Sequence, residues 1–321
     1  KRPAADEEHY VRERERLAVG SAVMTTASAI SVANIEHALS VIDPVFLDSP
    51  QFESDALSQQ LGLNIVLKIE CVNPIRSFKG RGAEYFTHLN KDVAARPWIC
   101  ASAGNFGQGL AYAARKYDIP IIVYAAMTAN PFKIEKMRAL DADVRLVGHD
   151  FDASKEACRV YAEAEGLTFV EDGRDAAITE GAGTIAAELG AGRGRFDALL
   201  VPLGNGALVN GIGSWVKEYM PATRVVAVGA DQAPAMERSF RERRVVVTTE
   251  PVKTKADGVA TRVPVPEAVE TMLDVTDDVL LVTEEDIIEA MALIERELGL
   301  KVEGAGAVTL AAARRFRDSF R

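Results

Sequence analysis

The chain of 321 residues has little of what most hydrolytic and metal-dependent chemistry requires. Its four histidines, His9, His37, His88 and His149, are scattered without zinc-helix spacing, and no Gly-x-Ser-x-Gly elbow occurs. A zinc hydrolase or a serine hydrolase finds no support, and no metal site is expected. The three cysteines, Cys71, Cys100 and Cys158, are odd in number, lack metal spacing and lie in apolar or helical contexts. They read as buried thiols in a reducing compartment, so a cytoplasmic location is expected. No apolar run approaches the roughly 18 residues of a membrane span, and no signal-peptide pattern opens the chain. Basic residues are in deficit: 37 Lys+Arg stand against 47 Asp+Glu, for a net charge of −10. That sign argues against nucleic acid or an anionic membrane as partner.

What is present is a hydrophobic fraction of 48% with 26% charged residues, enough for one large domain or two intimately joined ones. Residues 1–20 are dominated by charge, as in Arg12-Glu13-Arg14-Glu15-Arg16, and read as a solvated arm or helix. Beyond them the chain alternates. Helical segments are expected at Ser31 to Val41 and Ser54 to Leu61, and an apolar strand at Asn64 to Ile69. Strands at 98–100, 119–124, 144–147 and 168–170 then alternate with helices at 105–116, 131–140, 151–165 and 175–189. The apolar run 198–203 reads as a strand buried on both faces, and 225–228 repeats the type. Val279 to Val282 runs into Thr283-Glu284-Glu285-Asp286, a helix start, and that helix stops at Gly299. This rhythm predicts an α/β fold of open, mostly parallel sheets with helices on both faces. Ligands of such sheets bind beyond the carboxyl ends of the strands.

Six stretches, most of them at those ends, carry chemistry. After the strand 64–69, an Asn73-Pro74 turn leads to Ser77, a good N-cap, which puts Lys79 in the first turn of a helix at the end of a buried strand. Burying an ammonium costs several kcal/mol unless it is paired. Desolvation and the helix-start dipole would both lower its pKa, which makes Lys79 a candidate Schiff-base nucleophile. The plainer reading is a surface lysine at a helix start. After 198–203 comes Gly204-Asn205-Gly206-Ala207-Leu208, where small residues let backbone N–H groups converge on an anion, a phosphate by preference. It is neither a dinucleotide fingerprint nor a triphosphate loop, and a plain tight turn is the alternative. Ser102-Ala103-Gly104-Asn105-Phe106 offers a hydroxyl, helix-start N–H groups and an amide suited to a carboxylate, although Ser102 and Asn105 could simply cap the helix. Glu171-Asp172-Gly173-Arg174-Asp175 brings an arginine to a strand end. The stretches 255–260 and 302–307 place the acids Asp257 and Glu303 among small residues such as Gly258, where a flat ring could lie close to backbone.

Taken together these motifs resemble the pyridoxal-phosphate enzymes of the tryptophan synthase β-subunit fold, and within them the threonine/serine dehydratase branch. Ser77-Phe78-Lys79-Gly80-Arg81-Gly82-Ala83 is similar to that branch's lysine motif, and Ser102-Ala103-Gly104-Asn105 to its Ser-Ala-Gly-Asn. The segment 201–211 resembles its phosphate loop. Residues 181–186 and 256–260 match in order and spacing, so the resemblance covers roughly residues 31 to 315. It implies two joined domains with the cofactor in the cleft between them: an arm at 1–30, a large cofactor-binding domain at 31–96 plus 175–321, and a small domain at 97–174. It further implies that Lys79 carries pyridoxal 5'-phosphate and then serves as general base. Phe78 would pack by the ring, Asn105 would bond its 3-oxygen, and Gly204, Asn205, Gly206, Ala207 and Leu208 would hold the phosphate, with Gly258 and Glu303 beside it. Ser102, Ala103, Gly104, Asn105 and Phe106 would receive the substrate carboxylate. The implied reaction is β-elimination from a small β-hydroxy amino acid, giving a 2-oxo acid and ammonia, by a homodimer.

The chain departs from the family pattern at several points. Asn205 and Ala207 replace two loop glycines, and Phe106 replaces a histidine. Neither a closing strand with a Ser or Thr for the pyridine nitrogen nor a regulatory C-terminal extension is read before Arg321. Ala103 stands where serine racemases have a second serine, which disfavours racemisation. Phe106 and Arg174 suggest a substrate side chain other than methyl, aromatic or acidic. β-Replacement through the same intermediate, or a non-catalytic binding protein on this fold, are the alternatives.

Overall fold

The computed structural model describes residues 30–192 and 195–321. The arm expected at 1–30 thus lies outside the described residues except for Ile30. Helix α1 (Val32–Val41) opens on Ser31, whose hydroxyl accepts from Asn34 N. Strand β1 (Gln51–Glu53), helix α2 (Asp55–Leu61), strand β2 (Val66–Lys68) and helix α3 (Lys79–Asn90) follow. β1 and β2 pair antiparallel with each other, and all three β2 residues are half-buried. This corrects two expectations. The segment 64–69 is not a buried strand of a parallel sheet, and Lys79 stands well past its end, beyond the Asn73-Pro74 turn.

The next four strands form one parallel sheet: β3 (Trp98–Ala101), β4 (Ile121–Ala125), β5 (Asp143–Leu146) and β6 (Thr168–Phe169), in the order β5-β4-β3-β6. Between them run α4 (Asn105–Ala114), α5 (Pro131–Arg138) and α6 (Phe151–Glu165). Asp150 caps α6, and Gly166 ends it in the left-handed region, as helix-stop chemistry requires. The long helix α7 (Ala176–Gly192) leads to a second parallel sheet, β7 (Ala198–Pro202), β8 (Arg224–Ala230) and β9 (Asp278–Val282), in the order β7-β8-β9. The centre of this sheet is β8, buried from Val225 to Ala230. β7 lies at its edge with only Val201 fully buried, so its apolar run marks an edge strand and not one covered on both faces. Helices α8 (Ala207–Tyr219), α9 (Ala235–Glu242), α10 (Pro266–Val275), α11 (Glu284–Leu298) and α12 (Gly304–Arg315) complete the described chain. A reciprocal capping box between Thr283 and Asp286 starts α11, as its sequence predicts. The sequence reading left α9 and α10 unassigned, and both are short, of 8 and 10 residues. Two histidines far apart in sequence also meet: the rings of His37 and His88 are 6.0 Å apart.

Helix α7 is the packing hub, with α1, α3 and α8 all lying on it. The approach is close enough that side chains are excluded. A Cβ on Gly181 would stand 2.6 Å from the Arg81 carbonyl oxygen, and one on Gly211 would stand 2.1 Å from that of Thr179. Backbone contact at these crossings explains the small-residue run 181–183.

The same crossing buries a charge. Arg81, two residues into α3, has a side chain 0% exposed. Its guanidinium donates to both oxygens of Glu70 (2.9 and 3.0 Å), to both of Glu188 (2.5 and 3.0 Å) and to Thr184 Oγ1 (3.0 Å). Lys68 Nζ donates to Glu188 Oε2 (2.5 Å). The set therefore carries two cations and two anions. Burial disfavours the charge on Glu188, but Arg81 and Lys68 outweigh it and hold the carboxyl below its ordinary pKa. At the start of α7, Asp175 accepts from the N–H of Glu171 (2.6 Å). Burial pushes its carboxyl from an ordinary 3.8 up to about 6, with Glu171 and Asp172 adding repulsion.

Arg81→Ala should destabilise the fold by about 3–5 kcal/mol, because it leaves Glu70 without its cation and Glu188 with Lys68 alone; the urea midpoint should fall with an unchanged slope. The Asp175 effect has the opposite sign to a paired acid. Its folded pKa is the higher one, so below pH 3.8 its titration costs nothing, stability falls as pH rises from 3.8 through about 6, and the loss is complete above that. Asp175→Asn should remove up to roughly 3 kcal/mol of that pH dependence, seen as a smaller difference in melting temperature between mildly acidic and neutral buffer.

Candidate active site

The loops after β3, β6 and β7 all open from carboxyl ends of strands into one cavity of 2070 Å³, which Lys79 enters from α3. Asn73 builds the approach to Lys79. Its amide donates to the carbonyls of Glu70 (2.9 Å) and Ser77 (3.0 Å), and its Oδ1 accepts from Ile75 N and Ser77 N (both 3.2 Å). Phe78 occupies the cap position, while Ser77 Oγ accepts from Lys79 N (3.3 Å), so Ser77 does part of the capping expected of it. Lys79 Nζ lies 4.6 Å from the centroid of the Phe78 ring and donates to Asp172 Oδ2 at 2.7 Å. The lysine is thus largely buried and paired, with 17% of its side chain exposed against 11% for Asp172.

Opposite lies the turn before α8. The first helical amide to find an acceptor here is Asn210 N, bonded to Gly206 O (2.9 Å), which leaves the preceding N–H groups directed at the cavity. Gly206 has φ +99°, a conformation that suits glycine, whereas Asn205 needs no positive φ. A Cβ on Gly204 would lie 2.4 Å from Gly258 O, so the 204 and 258 loops meet backbone to backbone. Asn205 is held from both sides: its Oδ1 accepts from Thr261 Oγ1 (3.1 Å), and its amide points at Asp172 Oδ2 (3.5 Å).

The third wall is the start of α4. Ser102 Oγ accepts from Gly104 N (3.0 Å) and Gly107 N (2.9 Å), so this hydroxyl is a helix cap. Ala103, Gly104 and Asn105 line the cavity. Phe106 lines it too but is only 6% exposed and belongs to the apolar core beneath the first parallel sheet. Lys133 of α5 reaches across this loop. A Cβ on Gly104 would strike its side chain at 2.4 Å, and its Nζ donates to Asp257 (2.7 and 2.9 Å) and Glu303 (3.1 Å). Burial works against that charge, but Glu303 and Asp257 outweigh it and raise the Lys133 pKa. Asn105 Nδ2 donates to Glu303 Oε1 (2.6 Å), so Glu303 ties two elements of the first sheet to the second. Farther out, Arg262 donates to Asp150 (2.6 Å) and Asp152 (2.7 Å) across the same opening.

Lys79, Phe78, Ser102 to Phe106, Gly204 to Leu208, Gly258 and Glu303 therefore share one cavity. Arg174 does not: it is half exposed and turned outward to Glu171 (3.1 Å) and Glu267 (3.5 Å). The loop's glycine explains this, because Gly173, at φ +90°, packs against the Asn205 backbone and sends its two neighbours to opposite sides. The acidic-substrate expectation loses its cation with Arg174. What the sequence reading missed is Asp172, Lys133, Asp257 and Thr261. Asp172 carried a signal, as an acid just past a strand's carboxyl end, and Asp257 another, as an acid among the small residues of 255–260.

A family model described as pyridoxal-phosphate dependent enzyme matches residues 42–321. The chain is 33% identical over 284 residues to an L-threonine ammonia-lyase of Thermotoga maritima, covering 88% of this chain and 71% of that one. Among solved structures it superposes on a pyridoxal 5'-phosphate-dependent aspartate racemase with a TM-score of 0.84 at 26% identity, covering 90% of this chain and 91% of that one. It also superposes on the processed form of threonine deaminase isoform 2 from Solanum lycopersicum with a TM-score of 0.82 at 28% identity, covering 94% and 89%. The matched span takes in Lys79, the turn before α8 and the start of α4 that share the cavity, and the chain belongs to the pyridoxal-phosphate dependent enzymes.

Proposed function

We propose that this chain is a lyase that eliminates the β-hydroxyl of a small amino acid such as L-threonine or L-serine, releasing a 2-oxo acid and ammonia. The observation that carries the reading is Lys79 Nζ, buried and ion-paired, in a cavity walled by an anion-ready turn and a carboxylate-ready helix start. The names of the relatives, L-threonine ammonia-lyase and threonine deaminase, support it. The residues present fit pyridoxal 5'-phosphate. The N–H groups of Asn205 to Leu208, at the positive end of the 13-residue helix α8, suit a phosphate. Gly204 and Gly258 meet backbone to backbone, so no side chain stands between a ring and this wall, and Glu303 and Asn105 lie in the same cavity. The bound cofactor would supply an electrophilic carbon for amines and a sink for the electron pair left at Cα.

The chain's own groups then divide the work. Lys79 holds the cofactor and afterwards takes the Cα proton, and Asp172 at 2.7 Å stabilises the ammonium so formed. Phe78 backs the lysine. Ala103 and Gly104, with N–H groups at the α4 start, receive the substrate carboxylate, and the Lys133 side chain roofs that loop. Ala103 has no proton to exchange, so one face of Cα lacks an acid or base, and elimination is favoured over racemisation. In this reading the large domain comprises 31–96 plus 175–321 and the small one 97–174, and the enzyme works as a homodimer in the cytoplasm. The buried Cys100 and Cys158 thiols, both with pKa raised by burial, suit a reducing compartment. No helix among the described residues is long and apolar enough to cross a membrane.

The purified protein loaded with cofactor should absorb at about 410–420 nm, and Lys79→Ala should lose both that band and formation of 2-oxo acid from L-threonine and L-serine. A colourless wild type with full turnover would refute the proposal. Adding a thiol nucleophile should leave the yield of 2-oxo acid unchanged; diversion of most of it into a β-substituted amino acid would mean replacement instead of elimination.

A further inference from the structure

We infer that Thr261 and Asn205 are positioning residues of this site: Thr261 orients the Asn205 amide, and that amide holds Asp172 in place while the lysine is engaged with the cofactor. The inference rests on the lysine-borne cofactor proposed above and adds two residues that act through Asp172. Asp172 is 11% exposed, and its Oδ2 accepts from Lys79 Nζ at 2.7 Å. Its Oδ1 is buried and has no hydrogen-bond partner among the described residues. Asp172 thus leans on very few donors, and a largely buried carboxylate that loses its donor is destabilised. Bound to the cofactor, the Lys79 nitrogen no longer offers the three N–H donors of an ammonium. The other donor aimed at Asp172 is Asn205 Nδ2, 3.5 Å from the same Oδ2. That contact is long while the ammonium occupies the oxygen. It is the donor at hand once the ammonium is withdrawn.

The amide can face only one way. An ionised carboxylate accepts hydrogen bonds and donates none, so the nitrogen end of Asn205 must lie toward Asp172. The oxygen end then faces the Thr261 hydroxyl, which donates to it at 3.1 Å. The backbone does not call for asparagine here, because Asn205 takes no positive φ. What the site uses is the side chain. Two further contacts hold the line together. A Cβ on Gly173 would lie 2.7 Å from the Asn205 carbonyl oxygen, so the loop bearing Asp172 is packed on the turn bearing Asn205. Thr261 is set by its neighbour Arg262, which donates to Asp150 and Asp152 and accepts at its carbonyl from Thr248 N (3.0 Å).

Asn205 also belongs to the turn that suits the phosphate, so one residue joins the anion anchor to the partner of the base. The consequence appears at the proton step. Freed Lys79 takes the Cα proton on its nitrogen, the electron pair left at Cα passes to the cofactor, and the new ammonium needs Asp172 within reach at that moment. Without the Thr261 hydroxyl the amide is free to rotate, and Asp172 is left without a donor whenever the cofactor is bound. Cofactor binding and Cα proton removal both weaken. The cofactor-free protein is spared, because there Lys79 itself supplies the hydrogen bond.

The test compares Thr261→Val, which keeps the shape and removes the donor, with Thr261→Ser, which keeps the donor. Three quantities are read on the full chain: the urea midpoint without cofactor, the dissociation constant of pyridoxal 5'-phosphate by absorption titration, and the exchange of the Cα proton of L-alanine for deuterium by NMR. L-Alanine has no leaving group, so its exchange isolates the proton step. Thr261→Val should leave the cofactor-free urea midpoint at the wild-type value. It should weaken cofactor binding by about 10-fold, the scale of one buried acceptor left without its donor, and slow the exchange by a similar factor. Thr261→Ser should stay close to wild type in all three. In an Asp172→Asn background, Thr261→Val should add nothing further. Equal losses in the Val and Ser variants, a fall in the cofactor-free urea midpoint, full additivity with Asp172→Asn, or an unchanged Thr261→Val would each overturn this inference and leave the lyase standing. The expected pattern in a wild type that forms no 2-oxo acid from L-serine or L-threonine would overturn the lyase reading alone. A protein that takes up no cofactor would overturn both.

Discussion

The Arg81 guanidinium has no exposed side-chain surface, and its burial is tolerated because four carboxylate oxygens and a threonine hydroxyl meet its donors in bidentate geometry. Those partners come from separate places. Glu70 leads out of β2, and Glu188 and Thr184 lie on α7. Arg81 is itself two residues past Lys79 on α3. The network therefore fixes α3 against α7 at the crossing where glycines allow backbones to touch, and in doing so it fixes the direction in which Lys79 leaves its helix. The lysine's reach into the cavity depends on charges that never see the substrate.

The cavity is organised by charge in a second way. Helix starts open onto it on two walls, at α8 and α4, while Asp172, Asp257 and Glu303 stand beside Lys79 and Lys133 in the same lining. Asp172, Asp257 and Glu303 outnumber the cations they pair with, and Lys133 bridges two of the three. Backbone dipoles at the helix starts thus suit anionic groups, and the side-chain carboxylates suit cationic ones. The division lets opposite charges share a small volume without neutralising one another.

Much of this was legible in the sequence, for physical reasons that differ from residue to residue. The α/β rhythm, the parallel sheets and most helix boundaries follow from local patterning and capping, as at Asp150, Thr283 and Gly299. The glycine-rich turn at 204–208 and the Ser102 loop could be placed because strand ends and helix starts announce themselves over a few residues. Edge position could not. An apolar run reads alike in β7 and β8, yet only β8 is covered on both sides. Direction within a loop was equally hidden: Arg174 looked like the useful residue of its stretch, and a single positive-φ glycine sends it outward and leaves Asp172 on the lysine. Lys133 reaches the cavity from a helix whose sequence carries no sign of it, because its partners Asp257 and Glu303 lie more than a hundred residues along the chain.

Gly173 gives that small geometry a wider consequence. Asp172 is supplied by a short loop that touches the turn at Asn205 but takes no part in the buried Arg81 network. The carboxylate that pairs with the lysine is thus mechanically separate from the charges that aim its helix. Substitutions in this loop can alter the lysine's partner while the helix packing that positions the lysine is left whole. A scaffold with that separation can change diet without refolding, and the loop after β6 is where such change would be written first.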